Sequence, residues 1–224
     1  NFDKATGVVR LTDNVRAVTD GGLQLNTDVL DWSQTDRAIS TDDTVEVKRD
    51  NLTAVGKGLE AKPDAKIAKF EKDVILTLEQ EKAAPAPPRE SPEASPKALE
   101  QPFGGAGKLI ITCDGPMELN YDKQVAIFHD NVKVDSESGQ GTMIADVMTV
   151  RFDSATRQID RIEAEGNVQI KRQDNVSYSD GAVFTNAERK VVLTGRPKLV
   201  LFTEQNGAAA DISVVAESIG GAAP

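Results

Sequence analysis

A single cysteine, a single histidine and an aromatic content of 4% are the scarcities of this 224-residue sequence, and each removes a class of explanation. Cys113 alone can form neither an intrachain disulfide nor a cysteine-cluster metal site. It fits a reducing or an oxidising compartment equally well. His129, the one imidazole, has no cysteine partners and gives no zinc ligand set. No G-x-S-x-G elbow, Walker loop or H-E-x-x-H pair is present. Asp42 with Asp43 falls in a turn-like stretch and Glu163 with Glu165 on a solvated strand face, so neither pair reads as glycosidase acids. The sequence therefore points to no catalysis, no cofactor and no metal. No apolar run reaches the roughly 18 residues of a membrane helix, and no signal peptide leads the chain. Because it begins at Asn1 rather than Met, an amino-terminal signal or anchor is expected to have been removed. Nor does any basic run offset the net charge of −10, which excludes nucleic acid as a partner. An anionic lipid would have to be held by its tails, with only local help from Lys and Arg.

What the sequence has in quantity is β-branched residues at alternating positions, punctuated by Gly, Asn and Asp turn signals, with almost no helical periodicity. Asp64–Phe70 reads either as a weak amphipathic turn or as a turn into a strand. Composition divides the chain into four parts. Residues 1–78 form a first β segment, 79–108 a Pro/Ala-rich flexible linker, 109–205 a second β segment and 206–224 a Gly/Ala-rich tail.

The two β segments repeat one another. VVRLTDNVRAV from Val8 matches VAIFHDNVKVD from Val125, placing Asn14 against Asn131, 117 residues on. WSQTDRAI from Trp32 matches FDSATRQI from Phe152, and TVEVKRDNL from Thr44 matches NVQIKRQDNV from Asn167. Three matches in one order argue for an internal repeat of strand-turn-strand units. Asn14 and Asn131 read as turn residues whose side chains satisfy nearby backbone groups.

Alternation places Val15, Leu25, Leu30, Val45 and Val47 on one face of the first segment. In the second segment it places Val132, Val134, Ile144, Met148, Val150, Phe152, Val168 and Ile170 together. With no helix to cover these faces, the cover is another sheet or the same sheet folded over: an all-β antiparallel jelly roll, sandwich or open taco. Alternation by itself does not separate a filled core from a groove. Aliphatics of medium size with few aromatics suit flexible acyl chains, which need area rather than directional contacts. His129 is expected outward beside Asp130. Lys48, Arg49, Lys171 and Arg172 are candidates to meet lipid headgroup phosphates at a groove mouth, against the reading of a solvated strand end.

The runs Asp-Asn-Val-Lys-Val at 130–134, GTMIADVMTVRFD at 141–153 and IDRIEAEGNVQI at 159–170 resemble the OstA/LptA-type repeat of lipopolysaccharide-export proteins. GLQLNTDVLDW at 22–32, STDDTVEV at 40–47 and NLTAVGKGLEAKPD at 51–64 are similar to the LptC form of that repeat. The resemblance implies a periplasmic, non-catalytic bridge protein whose β-groove takes lipid A acyl chains and whose ends stack on neighbouring export components. A tether to the inner membrane by an amino-terminal segment belongs to the same implication. Unpaired edges near Val8–Ala17 or Lys198–Phe202 would allow strand addition by those components or head-to-tail self-assembly. Two other readings stand beside it: a structural or adhesive β-repeat protein with a dry core and no lipid, and a glycan hydrolase on a β scaffold.

Overall fold

The computed structural model describes residues 2–3, 7–19, 21–80, 107–137, 141–172, 175–187, 190–205 and 208–215. Strands follow one another in the order β1 (Phe2–Asp3), β2 (Val8–Val18), β3 (Gln24–Ser33), β4 (Ala38–Arg49), β5 (Leu52–Lys62) and β6 (Ile67–Gln80). After residues 81–106 come β7 (Gly107–Cys113), β8 (Met117–Asn120), β9 (Val125–Ser136), β10 (Thr142–Phe152), β11 (Ile159–Arg172) and β12 (Asn175–Thr185). The chain closes with β13 (Lys190–Thr194), β14 (Lys198–Gln205) and β15 (Ala208–Val215). All belong to one antiparallel sheet in which nearly every strand pairs with its sequence neighbours. The two repeats are continuous through it, because Gln80 at the end of β6 pairs with Gly107 at the start of β7. Both strands thus enter the stretch that composition marks as linker.

Why a sheet of such long strands folds over is visible in its hydrogen-bond register. Register shifts fall between Thr12 and Val15, Thr27 and Asp31, Thr41 and Thr44, Val55 and Lys57, Ala145 and Val147, and Glu165 and Val168. These positions are neighbours across the sheet and form one line. Where the line crosses β7–β8 and β13–β14, the strand is broken outright, at Asp114–Pro116 and Gly195–Pro197. Each bulge bends its strand and raises the local twist, and a proline that cannot donate to the ladder does the same more severely. A row of bends gives a crease. The repeated Asp-Asn pair sits on it: Asp13 and Asn14 have φ of 71° and 53°, Asp130 and Asn131 of 63° and 50°. Asp and Asn tolerate this left-handed region where β-branched residues do not. Asn131 donates from Nδ2 to Asp114 across the crease at 2.8 Å, and Asn167 does the same to Asp146 at 2.8 Å.

Gly166 occupies the crease at φ 76°, and a β-carbon there would fall on the Asp146 carboxylate. Gly166→Ala is therefore expected to cost about 1–3 kcal/mol, read as a shift of the denaturant midpoint at unchanged slope. An unchanged midpoint would mean that the crease is not a strained element.

Folding along the crease brings two inner faces together and buries one apolar core drawn from both repeats. Val45, Ile111, Met117, Phe128, Val132, Val134, Met148 and Val150 are fully enclosed. The expected all-β, folded-over sheet is thus the observed architecture. The free margins of the two halves form two rims. One carries the turns at 21–23 and 50–51 and the Gln80–Gly107 pair; the other carries the turns at 34–37, 63–66, 121–124 and 153–158.

Three expectations need correction. Ile144 faces outward, 38% exposed, while Met143 and Ala145 are buried. The bulge beside Asp146 inserts a residue and reverses the alternation, so the phase that is right for Met148 and Val150 is wrong on the other side of the crease. Lys198–Phe202 is not a free edge, since β14 pairs with β12 at Lys198–Val200 and with β15 along its whole length. The edge on that side is β15, which lies inside the stretch that composition marks as a tail. Val8–Ala17 does lie on a sheet edge among the described residues, where β1 pairs with Val8 and Val9.

Candidate functional site

Beside β3–β6 the core gives way to a cavity of about 230 Å³. Leu23, Leu25, Ile39, Val47, Leu59 and Phe70 contribute its apolar lining, with Arg49 and Lys66 at its margin. These side chains point inward because strands on both sides of the crease keep period-two alternation, whose phase carries through the bulge on β4 (Thr41, Val45 and Val47 are all buried) and reverses on β3 (Leu25 and Thr27, then Leu30). The cavity offers area without a hydrogen-bonding pattern, so it can select for hydrocarbon but not for a polar shape.

Tyr121 separates this cavity from a smaller one of about 50 Å³, lined by Leu52, Leu119, Phe152, Arg49 and Arg157 among others. Here the rims meet. The Arg49 guanidinium from the first rim lies over the Tyr121 ring of the second, 5.8 Å from its centre. Burial pushes the Tyr121 phenol upward, partly offset by the Arg49 charge, so the ring stays neutral and a suitable cation partner. Arg157 of the second rim pairs with Asp50 of the first at 3.5 Å, and Arg49 Nε stands 3.8 Å from the same Asp50 oxygen. These groups are partly exposed, and each such pair contributes little on its own, up to about 1 kcal/mol.

The side chains expected to line a groove divide into three groups. Leu25 and Val47 line the cavity. Leu30, Val45, Val132, Val134, Met148, Val150, Val168 and Ile170 are buried in the packed core, Val15 and Phe152 pack partly buried against it, and Phe152 also lines the smaller cavity. Ile144 is outside. Of the basic candidates, Arg49 is at the cavity mouth, whereas Lys48 pairs with Glu46 at 2.6 Å on the outer face. Lys171 and Arg172 end β11 away from the mouth and line neither cavity.

Sequence reasoning missed Ile39, Leu59, Phe70, Tyr121, Asp50 and Arg157. Leu59 and Phe70 were legible as inward by alternation on β5 and β6. Tyr121, Asp50 and Arg157 lie in turns, and only the crease brings these turns together. Cys113 is buried, with its thiol pushed up to about 11 by desolvation, and so is held protonated. Among the described residues, no group of three His, Cys, Asp or Glu side chains could hold a metal ion.

Residues 115–217 match the family described as LptA/(LptD N-terminal domain) LPS transport protein. Residues 2–79 match the family described as lipopolysaccharide-assembly, LptC-related. No curated protein matches the sequence. Among solved structures, the chain is similar to LptH, the LptA homologous periplasmic component of the lipopolysaccharide transport device of Pseudomonas aeruginosa. The identity is 9%, the TM-score 0.44, and the alignment covers 75% of this chain and 94% of that one.

Proposed function

We propose that this chain, whose residues 2–79 match an LptC-related family and whose residues 115–217 match an LptA/(LptD N-terminal domain) family, is a periplasmic bridge component that shelters lipid A acyl chains in its trough. The observation that carries this reading is the apolar cavity beside β3–β6, contiguous at Arg49 and Tyr121 with the seam where the rims meet. Burying hydrocarbon there gains roughly 25 cal/mol per Å² without any directional contact, which suits a carrier that must also release. The stretch of β2 from Leu11 to Val18, a sheet edge among the described residues, is where a neighbouring export component would add a strand. Exposed Leu11 and Val18 on it, at 45% and 60%, fit a surface that is covered in an assembly. Transport would be driven from elsewhere, by lipids pushed in behind.

The packed middle of the trough favours the dry-core alternative, a β-repeat protein that carries nothing. Neighbouring residues on opposite faces of β4 distinguish the two. A photo-crosslinking side chain at Ile39, which lines the cavity, should capture lipopolysaccharide, and the same group at exposed Ser40 should not. Equal labelling at both positions, or none at Ile39, would leave the dry-core protein standing.

A further inference from the structure

Arginines from opposite rims converge on one carboxylate oxygen at the seam. Asp50 Oδ2 is 3.5 Å from Arg157 Nη1 and 3.8 Å from Arg49 Nε. Arg49 Nε is shielded from solvent and has no hydrogen-bond partner, so the charge of this guanidinium is only partly satisfied. Beneath the pair the lining is apolar, with Leu52, Leu119 and Phe152 leading past Tyr121 into the larger cavity. On a chain of net charge −10, two arginines placed over a hydrocarbon-lined opening are a local exception to the overall field. Their shared counter-ion, Asp50, is 56% exposed. An amphiphile with its chains in the cavity would bring its head to this place.

We infer that Arg49 and Arg157 form an anion site at the seam, which takes the phosphate monoester of a lipid headgroup, and that Asp50 occupies the site in its absence. The inference rests on the trough being a lipid carrier and adds to that reading the chemistry of the headgroup. A phosphate offers three acceptor oxygens against the carboxylate's two, and guanidinium forks match it in bidentate fashion. Its arrival displaces Asp50 and removes the Asp50–Arg157 tie between the rims. Loading and loosening of the seam are then one event, and departure of the lipid lets Asp50 return.

The test uses the full chain, with tetradecyl phosphate and tetradecyl maltoside as probes that share a tail and differ in the head. Affinities are measured by displacement of an apolar fluorophore at low and at physiological salt. The wild type should prefer the phosphate by about tenfold, as expected for charge-assisted hydrogen bonds. The preference should shrink with salt, because the site is partly exposed. Arg49→Gln with Arg157→Gln should erase the preference, and Asp50→Asn should increase it by removing the internal competitor. The Asp50→Asn gain cannot arise from misfolding. Equal affinity for the two heads, or a preference indifferent to Asp50→Asn, overturns the anion site alone. Failure of both probes to bind overturns it together with the carrier reading.

Discussion

Clamping the two rims together will reduce lipopolysaccharide loading at least tenfold. Asn51 on one rim and Ala155 on the other line the same surface hollow, so Asn51→Cys with Ala155→Cys can be bridged by a short bismaleimide. Buried Cys113 offers no competing thiol. The physical ground is size: the cavity is about 230 Å³, whereas sites that enclose a small ligand usually measure roughly 300–1,000 Å³. Hydrocarbon of several chains can enter only if the halves part, and the crease is the hinge on which they would do so. The same double variant treated with a monofunctional maleimide should load normally, which separates the clamp from the substitutions. Undiminished loading of the bridged protein would show that entry does not need the seam.

The second large effect concerns stability. Phe128 is fully enclosed and stands in register between Met117 and Met148 on the neighbouring strands β8 and β10. Phe128→Ala is expected to cost about 3–5 kcal/mol from lost burial and the cavity left behind. That is a large share of the 5–15 kcal/mol typical of folded proteins. Ile144→Ala, an equally apolar residue on the neighbouring strand, should fall within about 0.5 kcal/mol, because its side chain is outside the core. Chemical denaturation of the two variants reads both numbers at once. A comparable loss at both sites would contradict the phase reversal at the Asp146 bulge and return Ile144 to the inner face.

The packed middle and the hollow end assign different tasks to the two repeats. In the second, Ile111, Met117, Phe128, Val132 and Val134 close the trough with the protein's own side chains. In the first, the partly buried inward residues Leu23, Ile39 and Ala61 border space that the core does not fill. If lipid moves along the whole sheet, the second half must rearrange more than the first, and Met117, Met143 and Met148 are side chains that repack at low cost.

Much of the architecture was legible in the residues themselves. Period-two alternation, the absence of helical periodicity and the Asp-Asn-Val repeat together define an all-β chain of two related halves. The same features mark Leu25, Leu30, Val45, Val47, Val132 and Val134 as inward, whereas Asn14 and Asn131, read as turn residues that satisfy backbone groups, lie within β2 and β9, and Asn131 donates instead to the Asp114 carboxylate. These are local properties: a pleated strand shows its faces in the order of its residues, and the left-handed backbone of this chain is most often met by Asn and Asp. Ile144 escaped this logic because a one-residue bulge leaves no compositional mark yet turns over every side chain beyond it. That β14 is an inner strand and β15 the margin depends on pairing partners far apart in sequence. The seam was hidden for the same reason. Asp50, Tyr121 and Arg157 lie in three separate turns, each an ordinary solvated loop in isolation, and only a sheet creased along its bulges carries those turns to one another. Strand content, repeat and bend chemistry were therefore written in the sequence. Which side chains face the trough beyond each bend, where a hollow survives and which charges guard it were decided by the folding-over of the sheet, because those features depend on distances between residues that no local pattern links.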